Sequence, residues 1–279
     1  MKKTVKRVIF MKNVLVTGAA GGMGKAICEL LSSKGYNVFG MDYCQVEEPG
    51  NMKFYRCDVT KTEEIEAVFE KVKEEAESLF AIIHTAGVYD LDSLLEMDEQ
   101  RFVRIFNINL FGVYRVNKVF KPLLNRGGRI VITSSELAPL DPLPFTGIYA
   151  ITKAALEKYA FSLRMETNLL GISVSVIRPG AVKTGLLNVS TTALERFMEN
   201  TKLYNTNAKK FRQIVDGVET KNIEPEDIAQ TALRALTEKT PKYVYKINRN
   251  PLLLLLNSLP QHLQVFAIEQ VIKDRTKKK

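Results

Sequence analysis

Histidine, cysteine and long apolar runs are all scarce in this chain, and each scarcity removes a class of chemistry. Two histidines, His84 and His262, are too few for a multi-histidine metal site, and a Ser-His-Asp triad would have to be built around one of them. The three cysteines, Cys28, Cys44 and Cys57, contain no CxxC pair. Neither a disulfide framework nor a cysteine zinc site is expected, and a reducing cytoplasm suits them. The uncharged stretch before Lys12 is only Val8 to Met11, too short for a signal-peptide core or a bilayer span. Internal repeats, low-complexity tracts and Pro/Gly/Ser linkers are missing as well.

What is present is a chain of 279 residues, 46% hydrophobic and 25% charged, which suffices for a substantial core. Its 40 Lys and Arg outweigh 31 Asp and Glu, for a net charge of +9. The excess sits at the ends: Lys2, Lys3, Lys6, Arg7 and Lys12 with no acid, and Lys273, Arg275, Lys277, Lys278 and Lys279 beside Asp274. The body between them is neutral, so no basic face for nucleic acid is indicated. The end runs read as solvated tails or as contacts to an anionic membrane surface.

Short apolar runs alternate with helical stretches. Residues 13–17, 37–41, 80–84, 129–133 and 172–177 read as buried strands, and 52–57 as a further one. Residues 23–33, 61–77, 98–124, 149–170 and 225–236 carry apolar side chains at helical spacing. Parallel neighbours need crossover connections, so the expected fold class is α/β, a doubly wound parallel sheet of Rossmann-like type. One catalytic domain over 1–249 is expected, with a mobile lid around 184–222. An apolar appendage with a basic tail follows over 250–279.

Directly after the first strand comes Thr17-Gly18-Ala19-Ala20-Gly21-Gly22-Met23-Gly24, and then a helix. Glycine is needed where backbone passes close to a pyrophosphate, and the helix start offers unpaired N–H groups and partial positive charge. The second strand ends in Asp42, where a carboxylate would accept the ribose hydroxyls of an adenosine and repel a 2′-phosphate. NAD is expected in preference to NADP. The plainer alternative for Asp42 is an ordinary strand-end turn residue.

The spacing Gly18-x3-Gly22-x-Gly24 after a threonine resembles the short-chain dehydrogenase/reductase family. The likeness covers about residues 12 to 248 and rests on ordered motifs. It implies cofactor contacts from Gly18, Gly22, Met23 and Gly24, from Asp42, and from Asp58 and Val59 after the third strand. Ala86 and Gly87 would add to these, within His84-Thr85-Ala86-Gly87 where the family usually has Asn-Asn-Ala-Gly. Pro179, Gly180, Val182 and Thr184 would complete the set. Tyr-x-x-x-Lys occurs twice, as Tyr114/Lys118 and Tyr149/Lys153. Only the second has a serine-bearing strand end before it, so Tyr149, Lys153 and Ser135 are the expected catalytic residues. Ser134 is the competing serine. The resemblance adds Asn109, distorting its helix around a water that links Lys153 to solvent, with Asn107 as its competitor. An ammonium within about 4 to 6 Å of a phenol favours the phenolate, so Lys153 is expected to lower the Tyr149 pKa. Tyr149 and Lys153 would also contact the cofactor.

Asn250 to Ile272 holds five consecutive leucines and is similar to the C-terminal segment of hydroxysteroid and retinol dehydrogenases. The expected substrate is a small apolar secondary alcohol or ketone such as a hydroxysteroid. A retinol-type dehydrogenase and a 3-ketoacyl reductase are the alternatives within the class. Outside it stand a dinucleotide-sensing protein and a membrane-surface protein. The resemblance implies a homodimer or homotetramer. The C-terminal segment is expected to pack on the body, on a partner subunit or on a membrane.

Overall fold

The computed structural model describes residues 12–45, 52–219 and 222–273, so the basic end runs 1–11 and 274–279 lie outside the described residues. Seven strands form one parallel sheet in the order β3-β2-β1-β4-β5-β6-β7. They are β1 (Asn13–Thr17), β2 (Asn37–Asp42), β3 (Met52–Arg56), β4 (Leu79–His84), β5 (Leu124–Thr133), β6 (Ser173–Pro179) and β7 (Val244–Ile247). The chain runs outward from β1 to β3 and then returns to β4 on the other side of β1. That reversal opens a crevice beyond the carboxyl ends of β1 and β4, the place where doubly wound sheets take ligands.

Helices cover both faces because each strand alternates apolar side chains into two cores. On one face α2 (Thr62–Glu75), α4 (Gly112–Phe120) and α5 (Gly147–Asn168) cover Leu15, Ile82, Ile130 and Ile132. On the other, α1 (Gly22–Ser33) and α8 (Pro225–Thr237) cover Val14, Val16, Ile83 and Val131. A third cluster lies off the sheet, where α6 (Gly185–Asn200), α7 (Asn205–Glu219) and α10 (Gln261–Ile272) gather Leu91, Leu194, Phe197, Phe211 and Ile272. The short α9 (Pro251–Asn257) precedes α10.

The single helix expected over 98–124 is divided. It comprises α3 (Glu99–Phe106), a π turn over Asn107–Phe111, α4 and a 3-10 turn over Lys121–Leu123, before β5 begins at Leu124. The segment 184–222, expected as a mobile lid, holds α6 and α7. The edge strand β7 was not expected at all.

Candidate active site

The turn between β1 and α1 is shaped by contacts that only glycine allows. Gly18 adopts φ +72°, and a Cβ on it would stand 2.5 Å from the Ala86 nitrogen. A Cβ on Gly24 would come within 2.0 Å of the Gly18 carbonyl oxygen. The turn therefore closes on itself and on the end of β4. Helix α1 starts at Gly21 with no side-chain cap and no acidic residue in its first turn. Gly22, Met23 and Gly24 line the crevice there, so the orphan N–H groups of the first turn and the positive end of the helix dipole serve it.

Neighbouring strand ends hold this turn in place. Asp42 accepts the Ala20 N–H at 3.0 Å and the Cys44 N–H at 3.0 Å, which fixes its carboxylate beside the turn. Arg56 pairs in register with Asp42 across β2 and β3, a cation that the sequence reading did not place at this corner. Its guanidinium lies 5.8 Å from the Tyr43 ring centroid, and its Nε donates to the Tyr43 carbonyl at 3.3 Å. Asp58 accepts from the Thr60 N–H and hydroxyl at 2.9 and 2.7 Å, and Val59 is buried against Gly112. Thr85 donates its hydroxyl to the Thr17 carbonyl at 2.7 Å, bracing the β1 and β4 ends without the family's usual asparagine. His84 is buried, its Nε2 lying 2.9 Å from Asn117 Oδ1, and burial pushes its pKa down to about 4. It is a neutral structural group turned toward α4, outside the crevice.

The catalytic candidates converge at the end of β5. Ser135 and Tyr149, both 7% exposed, line the crevice and hydrogen-bond through their hydroxyls. Ser134 lines it too, yet its hydroxyl has no hydrogen-bond partner among the described residues. Lys153 lies one turn beyond Tyr149 on α5, with Nζ 5.6 Å from the Tyr149 ring centroid and donating to the Thr133 carbonyl at 3.1 Å. The expected effect of the ammonium on the phenol is reversed in the protein alone. Burial pushes Tyr149 up to about 12 against the Ser135 hydrogen bond, and pushes Lys153 down to about 8 against the charge of Glu157. Desolvation disfavours the charged form of each group and dominates both shifts. Tyr114 and Lys118 lie elsewhere, on the outer side of α4, with Tyr114 exposed.

Asn109 sits on the π turn, fully buried behind the crevice wall. Its amide accepts the Val88 N–H at 2.8 Å and donates to the Val88 carbonyl at 2.9 Å and to Thr152 Oγ1 at 3.1 Å. A Cβ on Gly87 would stand 3.3 Å from Asn109 Oδ1 and 3.6 Å from Lys153 Nζ, so glycine keeps a gap between them. After β6, Pro179, Gly180, Val182 and Thr184 form the opposite wall. A Cβ on Gly180 would collide with the Asn248 carbonyl at 1.8 Å. Asp42, Asp58, Val59 and Ala86 stand behind this lining, on the adjacent strand ends.

The outer part of the crevice is apolar, walled by Leu137, Leu143, Phe211, Ile214, Val215 and Leu253. Sequence reasoning had Phe211 within the expected cover and the leucine run as the signal for Leu253, but did not single out Leu137, Leu143, Ile214 or Val215. Phe145 shapes this end with a left-handed backbone at φ 66°, its ring 4.5 Å from that of Phe197 and 5.4 Å from that of Phe211. Glu136, also buried, accepts the Asn250 N–H at 2.7 Å and so ties the serine strand to α9.

Comparison with known proteins follows the same lines. The short chain dehydrogenase family profile matches residues 12–195. Estradiol 17-beta-dehydrogenase 2 of Mus musculus is 33% identical over 190 residues, 63% of this chain but only 49% of that protein. The chain thus spans about half the length of that relative. The 3-ketodihydrosphingosine reductase of Bacteroides thetaiotaomicron is 24% identical over 260 residues, covering 91% of this chain and 96% of that one. Among solved structures, a short chain dehydrogenase family protein from Francisella tularensis superposes with a TM-score of 0.71 at 25% identity, covering 85% of this chain and 97% of its own. The glycine turn, the β5 serine and the α5 tyrosine and lysine occupy one crevice in one parallel sheet, and with the match over residues 12–195 the chain belongs to the short-chain dehydrogenase family.

Proposed function

We propose that this protein is an NAD-dependent oxidoreductase that interconverts an apolar secondary alcohol, such as a hydroxysteroid, and its ketone. One observation carries the reading: the Ser135 and Tyr149 hydroxyls meet between a glycine-lined helix N-terminus and an apolar pocket. The cradle fits a dinucleotide, since Gly18, Gly21, Gly22 and Gly24 line it without side chains and α1 begins there with no side-chain cap on its N–H groups. Asp42 and Asp58 would serve the adenosine end, and Gly87, Pro179, Gly180, Val182 and Thr184 the nicotinamide end. When bound, the nicotinamide supplies hydride acceptance and donation.

The chain's own groups handle the proton. Ser135 orients the substrate oxygen by a hydrogen bond, and Tyr149, protonated with its pKa near 12, donates to a forming alkoxide in ketone reduction. In the alcohol direction Tyr149 must lose that proton, which the positive charge of Lys153 assists at Tyr149 Oη once further positive charge enters the crevice. Asn109 holds Val88 and Thr152, so it positions the wall next to Lys153.

The alignment with a 3-ketodihydrosphingosine reductase over 91% of the chain favours a second reading, reduction of a long-chain ketone at the same site. Cytoplasmic placement is supported by three unpaired cysteines. A homodimer is supported by Tyr114, Phe161 and Met165, apolar side chains exposed on α4 and α5. The decisive experiment follows nicotinamide fluorescence with steroid, retinoid and long-chain acyl alcohols and ketones, using both NAD(H) and NADP(H). Turnover of a steroid or retinoid with NAD(H) is expected. Turnover restricted to acyl ketones selects the second reading, and no turnover with any class refutes both.

A further inference from the structure

We propose that the outward faces of α9 and α10 form a docking surface for an anionic lipid bilayer. This segment packs Leu253, Ile268 and Ile272 inward but leaves a larger set of apolar side chains outward. Toward the body it also presents amides: Asn257 Oδ1 accepts the Asp141 N–H at 2.6 Å, and the Gln264 and Gln261 amides donate to the Asp141 carboxylate at 3.0 and 3.3 Å. Gln264 is only 5% exposed. Toward the outside stand Leu252, Leu255, Val265, Phe266 and Val271, each between 58% and 69% exposed. A helix facing water on that side would carry the reverse arrangement, because apolar area left in water is unfavourable. Among the described residues nothing covers this face.

The segment is also firmly seated, so its outward face is a fixed feature. Ile268 and Ile272 enter the cluster around Phe197 and Phe211. Asn207 and Lys210 of α7 donate to the carbonyls of Ile272 and Lys273 at 2.7 and 2.6 Å.

Charge selects the occupant. Between Asn250 and Ile272 the sequence has Glu269 alone as a full charge, and Glu269 pairs with Lys273 at 2.6 Å. The sequence then continues with Arg275, Lys277, Lys278 and Lys279 against Asp274. A second copy docked on this face would bring like-charged tails together, whereas an anionic headgroup layer neutralises them. Spanning is excluded for this pair: α10 has 12 residues, and among the described residues no helix is long and apolar enough to cross a membrane. At 1.5 Å per residue α10 is about 18 Å long against a hydrocarbon core of about 30 Å, so it lies in the interfacial plane. Leu253 of α9 lines the crevice while Leu252 and Leu255 face outward, so the apolar end of the crevice opens beside the proposed bilayer. Docking itself does not depend on which substrate is turned over.

The test is co-sedimentation of the full chain with vesicles of phosphatidylcholine, with and without phosphatidylglycerol, as salt is raised. Sedimentation with the anionic vesicles at low salt is expected, falling as salt rises. The double variant Leu255→Gln/Phe266→Gln is expected to bind roughly tenfold more weakly or less, with unchanged thermal midpoint, elution volume and dinucleotide affinity. If the native chain stays in the supernatant with anionic vesicles at low salt, the proposal is wrong. Equal sedimentation of the double variant also overturns it. So does a smaller elution volume for the native chain than for the variant, which would assign the face to a second copy.

Discussion

Helices α8 and α10 are nearly the same length, 13 and 12 residues, yet α8 sorts its side chains cleanly by polarity and α10 does not. Helix α8 buries Ile228, Ala229, Ala232, Ala235 and Leu236 while Glu226, Asp227 and Arg234 face outward. Helix α10 buries Gln264 together with Ile272, and exposes Leu263, Val265, Phe266 and Val271 alongside Glu269 and Gln270. The contrast extends to the two regions they belong to. Around α8 the sheet and the glycine turn are fixed by backbone contacts with almost no slack: a Cβ on Gly24 would stand 2.0 Å from the Gly18 carbonyl oxygen. Around α10 the cap is held by aromatic packing on Phe145 and by side-chain hydrogen bonds to Glu96 and Asp141. In the proposed reading, one region would hold the dinucleotide and the proton chemistry, and the other would govern what the crevice admits.

If this division is sound, the largest effect comes from the region of the sheet. Tyr149→Phe is expected to lower kcat by about a thousandfold or more, with dinucleotide affinity and thermal midpoint held near native, because only the hydroxyl paired with Ser135 is removed. Rapid-mixing kinetics and a dinucleotide fluorescence titration measure the two quantities. A fully active variant would break the assignment of chemistry to this region. The complementary cap variant is Phe211→Ala. Phe211 is 1% exposed and stacks edge-on against Phe145. Its loss is expected to destabilise the cap by about 3 kcal/mol, and to raise KM for an apolar alcohol while the dinucleotide Kd stays unchanged. A change in Kd of the same size as the change in KM would show that the two regions are not separable.

Acid should separate them too. Burial holds His84 neutral with a pKa near 4, against an ordinary value of 6.5. Between these values the unfolded chain binds more protons than the native one, so stability declines as pH falls from about 6.5 to about 4, by about 3 kcal/mol in all. For Glu96 of the cap, burial acts upward, but the hydrogen bonds from Thr201, Lys202 and Leu203 outweigh it and hold the carboxyl below 4.5. Its contribution is present above its ordinary range and lost only as pH falls through the lowered value. Urea midpoints between pH 7 and 4 should therefore slope downward from the start in the native chain. They should stay flatter to about pH 4.5 in His84→Gln, and an identical slope in both would remove His84 as the cause.

The same contrast explains what could be read in advance. The β1 turn was legible because glycine spacing reflects steric demands that no other residue meets. Tyr149 and Lys153 were legible because residues four apart share a helix face. The π turn at 107–111 was not visible in the apolar spacing, which continues across it from Ile105 to Val113; only the resemblance, through Asn109, implied a distorted helix there. Strand β7 escaped notice because Val244–Ile247 is a four-residue edge strand that mixes Lys246 with apolar neighbours. In the cap, Ala193, Leu194 and Phe197 of α6 meet Ala208 and Phe211 of α7 across a helix-helix contact, and a search for strand alternation passed over their helical spacing. The five leucines hid which one points inward, and only Leu253 of that run is fully buried. The rise of the Tyr149 pKa was invisible for a different reason, since it depends on how deeply the fold buries the phenol.

The smallest expected effect tests the adenosine corner, where Asp42 does two things at once. Its carboxylate holds the Ala20 amide of the glycine turn, and in the proposed reading its charge would face the ribose. Asp42→Asn keeps an acceptor for the amide while removing the charge, and Asp42→Ala removes both. The Asn variant should stay folded, retain NAD binding within a few-fold, and improve the NADP-to-NAD ratio of kcat/KM by about tenfold, since a 2′-phosphate would no longer meet a like charge. The Ala variant should lose affinity for both dinucleotides, because the phosphate turn loses its brace. Arg56 supplies the alternative outcome. Its guanidinium is engaged with Tyr43, but it stands in register with Asp42 and could swing to a phosphate. If the native chain already prefers NADP, and Arg56→Ala abolishes that preference while Asp42→Asn leaves it intact, then the cation governs this corner and the carboxylate is only a turn residue.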